Sequence, residues 1–535
     1  MMRTFPSIQP AIQFELFQKQ SKGKTIKLYE AGIINNLDTL SSQYSYRRLE
    51  GAYLSFSLST FVFLTVVTAL FFSIRKEARI YILLIASLLY IYYLDQSACI
   101  ALLSSSAVVY GAGLYGYKLK NNRKREKARA VLWAGIVLLI LFWLSFKILP
   151  RLLVYFTADQ SIQNRVLNHL ILPIGYSYYM FQAISYLSDI HSEKIIPEKN
   201  FFTFLLYMCY FPKFISGPIE KPEIFLGQLK NITNVKFFDE ERLSSVLGYF
   251  LYGYFMKIVV ADRLEVYVSP IFNDFQNYTP LALITGSLFY AIQIYCDFAG
   301  YSALAVGISR IFGIELTQNF LAPYRSVDIS DFWRRWHISL STWLRNYIYI
   351  PLGGNRKGKI RQGLNSMAVF LLCGIWHGNG FNYIAWGLLH GLYTVIHMLI
   401  KNKIKHAEDN HLIILLRRVS TFMLVTFAWI FFRAPGLHSA AGYIRKMITG
   451  WGAPGIGLRQ LGIDSYSILF LAVCFISVYL MDRHVYRKGV AWPDAMMQWH
   501  YIPRYTVYLI FILVIFVFGI YGPGYDTGKF LYMNY

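Results

Sequence analysis

Charge is scarce in this chain. Asp, Glu, Lys and Arg make up 15% of its 535 residues, well below the quarter usual in soluble domains. That scarcity excludes a water-soluble protein of several ordinary domains. Acidic residues are the rarer sign, 29 against 52 Lys and Arg, for a formal net charge of +23. Cysteine is scarce as well. Cys99, Cys209, Cys296, Cys373 and Cys474 fall in or beside apolar segments and form no C-x-x-C pair. They read as small buried hydrophobes, not as disulfides or metal ligands. There is no G-x-S-x-G element in a triad context, so a hydrolase-type serine nucleophile is not expected. Neither a repeat period nor a low-complexity tract is found. A cleavable leader is not expected, because residues 1–50 are mostly polar and no basic start runs directly into an apolar core. Residues 1–51 are read as a polar extension, or as the product of a misplaced start, and deletion of Met1–Glu50 is expected to leave insertion and activity intact.

What the chain does have is apolar length. It is 56% hydrophobic, with a mean hydropathy of +0.39, and its apolar runs recur at about the 20 residues that a membrane-spanning helix needs. The fold class is therefore all-α: one polytopic transmembrane bundle over residues 52–535, with about eleven to thirteen spanning, tilted or re-entrant helices around a central cavity. Spans are expected at 52–72, 80–94, 98–117, 131–149, 243–261 and 281–298, with further ones at 364–376, 383–400, 412–432, 466–481 and 505–521. Pro173 and Gly175 interrupt the apolar run 167–187, and Pro212, Gly217 and Pro218 interrupt the one that starts at Phe201. Broken helices of this kind survive where the backbone is buried in protein or lines a cavity. Two dense basic loops, 75–79 and 118–129, flank a helical hairpin and so share one side. The positive-inside tendency makes that side the cytoplasm and places the segment before Ala52 outside. The excess positive charge is thus assigned to loops and anionic lipid, and nucleic acid is not an expected partner.

The stretch from Asp328 to Gly391 organises the rest. Its first part, D-I-S-D-F-W-R-R-W-H-I-S-L-S-T-W-L-R-N-Y-I-Y-I-P-L-G-G-N-R, is expected to hold one helix from Asp331 to Tyr347. Asp328 or Ser330 caps it, and Pro351 with Gly353-Gly354 ends it. On such a helix Trp333, Trp336, Leu340 and Trp343 share an apolar face, while Arg334, His337, Ser341 and Arg345 form a polar stripe. An apolar helix then leads to His377 in C-G-I-W-H-G-N-G. A neutral imidazole suits the task of taking a hydroxyl proton during acyl transfer, and the flanking glycines leave room for a substrate. A core histidine bonded to a backbone carbonyl fits the spacing of His377 equally well, and for His337 a helix-to-helix hydrogen bond does too. Asp297, in a long apolar run, is expensive unless compensated. It pairs with Arg334 or Arg335, or orients a histidine. His390 and His397 are seven residues apart with no acidic companion, which does not fit a zinc helix, so no metal site is expected. Gly353 to Lys359 nearly spells a phosphate-binding loop, but Ile360 replaces the required Ser or Thr, which rules out a nucleotide triphosphatase. The turn reads as a basic cytoplasmic loop able to attract an anionic donor.

The long central motif, followed by G-I-W-H-G and W-G-L-L-H-G, closely resembles the membrane-bound O-acyltransferase (MBOAT) family. The likeness is strongest to its bacterial branch of alginate O-acetylation, and D-alanyl transfer proteins of lipoteichoic acid synthesis are similar at a greater distance. Further matches are L-P-I-G-Y-S-Y-Y-M-F-Q-A-I-S-Y-L-S-D (172–189), F-P-K-F-I-S-G-P-I (211–219), Y-C-D-F-A-G-Y-S (295–302) and N-F-L-A-P-Y-R-S (319–326). The resemblance covers the chain from about Tyr53 onward. It implies that His377 is the catalytic general base and His337 the second functional position. Asp297, Arg334, Arg335, Trp336, Ser341, Trp376, Asn382 and His390 are expected to line or support the site. The implied protein is a multi-pass O-acyltransferase of the bacterial cytoplasmic (inner) membrane. It binds no cofactor of its own and takes an acyl group, acetyl above all, from a cytoplasmic thioester such as acetyl-CoA. The acceptor is an extracytoplasmic polysaccharide or a periplasmic or surface acetyltransferase partner. A transporter, or a non-catalytic membrane subunit of a polysaccharide-modification system, is the competing class. Both rings are expected to face one water-accessible cavity with side chains within ~15 Å of each other, as a shared general-base step requires.

Overall fold

The computed structural model describes residues 58–156, 173–215, 217–404 and 410–521. The polar extension at residues 1–51 lies outside them, as does the start of the apolar run expected over 167–187. The described residues are helical, and the nearest thing to a strand is one isolated bridge between Tyr278 and Ile456. Apolar runs this long must satisfy their backbone internally to enter a bilayer, and helices do so. Helix α1 is Leu58–Ser73, α2 Arg79–Leu94, α3 Gln96–Asn121 and α4 Arg125–Phe156. Tyr176–His191 forms α5 and Phe201–Cys209 forms α6. Glu240–Tyr254 (α7) passes through a π-helical segment, Phe255–Ala261, into Asp262–Asn273 (α8), and Pro280–Ile311 is α9. Further along are α10 Ile329–Arg335, α11 Ile338–Leu344, α12 Gly358–His377, α13 Phe381–Ile404, α14 His411–Arg433, α15 Leu437–Thr449, α16 Ser465–Lys488 and α17 Tyr501–Phe518, and short helices lie at Phe211–Phe214, Pro222–Leu229 and Trp492–Met496.

Among the described residues nine helices are long and apolar enough to cross a membrane. The 16-residue α1 and the 20-residue α12 add two more of similar scale. Burial separates an inner from an outer set. The continuous helix Glu240–Asn273 has 72% of its apolar window buried, whereas α17 has 11%. On α17 and α16 the outward Leu509, Leu513, Phe516, Ile468 and Val473 are exposed apolar side chains, which is what a lipid-facing surface requires.

The bundle has two chemically different ends. Arg79 begins α2 and is buried rather than solvated. Its guanidinium donates to the carbonyls of Phe71, Ile232, Thr233 and Val235, so the α1–α2 turn and the segment before α7 share one end. Helices α2 and α3 cross and return, bringing the basic turn around Asn122–Arg125 to that same end. The far end holds the α8–α9 turn, where Ile456 donates to the carbonyl of Asn277 at 2.8 Å. The turn around Arg345–Arg361 belongs to the basic end: Tyr347 donates to Asp189 at 2.7 Å, near the end of α5. Helix α12 therefore climbs from the basic end toward the other.

Two glycine requirements shape this core. Gly175 opens α5 at φ 75°, and a Cβ there would lie 2.8 Å from the Phe214 carbonyl oxygen. At Gly374 and Gly387 a Cβ would stand 2.4 Å from the carbonyl oxygens of Tyr383 and Phe370 respectively. Helices α12 and α13 thus touch backbone to backbone, the close approach that small residues permit in membranes.

Candidate active site

The expected helix over Asp331–Tyr347 does not exist as one element. Trp336 is extended (φ −102°, ψ 127°) and His337 is left-handed (φ 43°, ψ 56°), separating α10 from α11. The sequence contains no Gly or Pro there, so the break comes from tertiary contacts. The irregular segment around Asn319 holds it open. Ile338 N–H donates to the Asn319 carbonyl at 3.0 Å, Leu321 N–H donates to the Arg335 carbonyl at 3.1 Å, and Ser339 Oγ donates to Asn319 Oδ1 at 2.7 Å. Ser339 in turn accepts from Ile219 N–H at 3.1 Å. Hydrogen bonds from outside replace those of a continuous helix, and the polar stripe disappears with it. Arg334, at 70% side-chain exposure, points outward. Arg335 bonds Asp331 at 3.0 Å and lies over the Tyr486 ring. Ser341 donates locally to the Trp336 carbonyl at 3.2 Å.

His337 is fully buried, so the expectation that its ring faces water is not met. It packs edge-on against Phe298 at 4.8 Å and lies 6.4 Å from the Trp376 ring. His377 is the last residue of α12 and is also buried. Trp376 at 4.7 Å, Trp386 at 5.1 Å and Phe432 at 5.2 Å surround its ring. Both imidazoles thus flank Trp376, 39 residues of chain after His337, and lie within ~15 Å of one another as a shared step needs. Trp376 is fixed from its other side. Its indole donates to the Ser177 carbonyl at 3.3 Å, and it stacks on Phe181, which stacks on Trp343 at 3.9 Å. Lys147 of α4 donates to the carbonyls of Ile375 at 3.2 Å and Trp376 at 2.8 Å. These belong to the last turn of α12, whose carbonyls have no intrahelical donors, and a cation is favoured at that end of the helix dipole.

The supporting residues fall into place differently from the expectation. Asp297 does not pair with Arg334 or Arg335. Lys257 lies 2.6 Å from Asp297 and 2.8 Å from Asp262, forming a buried triad between the π-helical segment, α8 and α9. Asp297 precedes Phe298 and so sits one residue from the wall of His337. Asn382 clamps the start of α13 to the end of α14 by donating to the carbonyls of Phe431 and Ala434 at 3.1 and 3.0 Å. His390, fully buried, accepts from the Trp333 indole at 3.2 Å through Nδ1. Reading the sequence did not single out Trp386, Phe181, Lys147, Ser339 or Asn319. Asn319 heads one of the matched motifs, but nothing local signals that it props open a helix 18 residues away. The basic turn lines an open cavity of about 310 Å³ with Arg345, Tyr349, Asn355 and Arg356 among its walls.

Comparison with known proteins follows the same geography. The sequence model of the MBOAT, membrane-bound O-acyltransferase family, matches residues 88–434, which contain both histidines and the rings that enclose them. The chain is 35% identical over 340 residues to a probable alginate O-acetylase of Pseudomonas putida, covering 63% of this chain and 67% of that protein. It is 34% identical over 325 residues to the peptidoglycan O-acetyltransferase of Helicobacter pylori, covering 56% and 61%. A teichoic acid D-alanyltransferase of Streptococcus thermophilus is 29% identical over 305 residues, covering 53% and 68%. With a family match over most of its length, on a polytopic helical bundle, this chain belongs to the membrane-bound O-acyltransferase family and is an O-acyltransferase.

Proposed function

We propose that this protein moves an acetyl group from a cytoplasmic thioester, acetyl-CoA being the expected donor, to a hydroxyl on the far side of the bacterial inner membrane. His377 serves as the general base. The observation that carries this reading is the convergence of His337 and His377, remote in sequence, on the one ring of Trp376 inside a bundle of this family. An acceptor hydroxyl is a poor nucleophile until its proton is removed. Neutral imidazole in a dry aromatic enclosure removes it without a metal or a covalent protein intermediate. His337, fixed by its Asn319-pinned backbone, holds the second position, orienting the acceptor or the donor. The named activities of the relatives support a glycan acceptor: alginate in one, peptidoglycan in another. Delivery through a periplasmic or surface acetyltransferase partner belongs to the same reading. The excess of Lys and Arg at the basic end supports placing the thioester on that side.

The test uses the full chain in lipid vesicles with a radiolabelled acetyl thioester supplied at the basic end. Acceptor-dependent loss of thioester is expected. His377→Ala should insert and fold normally and lose ~10²–10⁴ in rate. Near wild-type transfer by folded His377→Ala removes this residue from the mechanism. Counterflow of an unmodified solute without thioester loss favours a transporter.

A further inference from the structure

Helix α13 carries two hydrogen-bond donors that the fold does not use. The Trp386 indole Nε1–H and the His390 Nε2 are both buried without an acceptor among the described residues. Their side chains are 1% and 0% exposed, so water at the protein surface does not satisfy them. The tautomer of His390 follows from its one bond. An indole nitrogen can only donate, so Nδ1, which receives the Trp333 bond, carries the lone pair. The proton of the neutral ring is then on Nε2, and His390 presents a second N–H. Buried N–H groups without partners are rare in native structures. Two of them one helical turn apart, on rings 5.0 Å from each other, are rarer still. Trp386 is also edge-on to the His377 ring, 5.1 Å away with an interplanar angle of 89°. Trp386 therefore stands beside the base, with His390 one turn further along the helix that packs closely on α12.

We propose that Trp386 Nε1–H and His390 Nε2–H are a donor pair for the carbonyl oxygen of the transferred acyl group. The inference rests on the acyltransfer reading and adds to it the electrostatic half of the reaction. The acceptor oxygen bonds to the carbonyl carbon as its proton passes to His377. The carbonyl π pair moves onto oxygen, where the two N–H groups receive it. On collapse the carbon–sulfur bond breaks, the carbonyl re-forms, and the thiolate takes the proton held by His377. Donors left unmade in the resting protein are satisfied only when charge develops on that oxygen, which is the condition for selective transition-state stabilisation. Trp333 acts at one remove, as a positioning residue that fixes the His390 tautomer.

The decisive variant is Trp386→Phe, which removes the N–H and keeps an aromatic ring against Trp429 and Phe432. Loss of one such donor lowers kcat by ~10²–10³. KM for the thioester and the thermal midpoint should stay close to wild type. Should Trp386→Phe fold poorly, 3-benzothienylalanine placed at position 386 replaces only the N–H by sulfur, and the same loss in kcat is expected. Wild-type kcat in either folded variant overturns the donor pair while leaving His377 and the acyltransfer reading intact. A wild-type protein that shows no acceptor-dependent thioester loss overturns both. A rise in KM with unchanged kcat assigns Trp386 to substrate packing and also overturns the proposal.

Discussion

Lys257 is a cation held between two carboxylates, Asp262 and Asp297, in the most buried part of the bundle. Its position fixes the order in which changes hurt. Lys257→Met leaves two carboxylates facing one another with no cation, the costlier arrangement, and should destabilise by ~3–5 kcal/mol. Asp297→Asn leaves the Lys257–Asp262 pair intact and should cost clearly less. Thermal unfolding of the two variants in detergent ranks them, and the reverse order contradicts the triad. The sequence marks Asp297 as needing a partner, since it stands alone in an apolar run. It does not name Lys257, because that pairing depends on how the π-helical segment packs against α9. The same holds for His377. The G-I-W-H-G motif marks the residue, but its aromatic enclosure by Trp386 and Phe432 comes from α13 and α14.

Elements were most legible where composition alone decides them. Apolar runs of membrane length became helices close to where periodicity places them, because in lipid the backbone has no other way to bond itself. Periodicity failed at α10–α11. There every local preference favours one helix from Asp331 to Tyr347, and Asn319 overrides it with bonds from a remote segment. The α12–α13 contact offers a sharp test at this scale. Gly374→Ala places a Cβ 2.4 Å from the Tyr383 carbonyl oxygen, so the helices must separate. Overpacking of this kind costs ~1–3 kcal/mol, and it displaces His377, three residues on. Gly363→Ala is the control, since its Cβ would meet Val395 at an ordinary 3.6 Å. Gly374→Ala should lose both thermal stability and transfer, while Gly363→Ala should lose neither. Equal behaviour of the two would show that the glycine contact does not set the position of the base.

The whole molecule is polarised. Basic turns gather at the end with Arg79, and the α8–α9 turn lies at the other. In intact cells a cysteine at Ala453→Cys, exposed on the far end, should react with a membrane-impermeant maleimide. Asn122→Cys should react only after the membrane is opened. The five native cysteines are buried and unpaired, so they give little background. Labelling of Asn122→Cys in closed cells would invert the orientation. The bond from Lys147 to the last turn of α12 has a consequence at this scale. Lys147 is the one charged residue in the apolar stretch 131–149 of α4, and a lysine near the membrane surface usually reaches for the lipid headgroups. Here it reaches sideways to the carbonyls beside His377. Helix α4 has 32 residues, or ~48 Å at 1.5 Å per residue, against a hydrocarbon core of ~30 Å. A helix longer than the bilayer is accommodated by tilting or kinking of the helix or by local thickening of the lipid, and the balance among these follows bilayer thickness. Lys147 therefore couples acyl-chain length in the surrounding lipid to the seating of the base. Transfer should vary between vesicles of short- and long-chain phospholipid, and Lys147→Met should flatten that dependence. The membrane then acts as a ruler against which the enzyme sets its catalytic group.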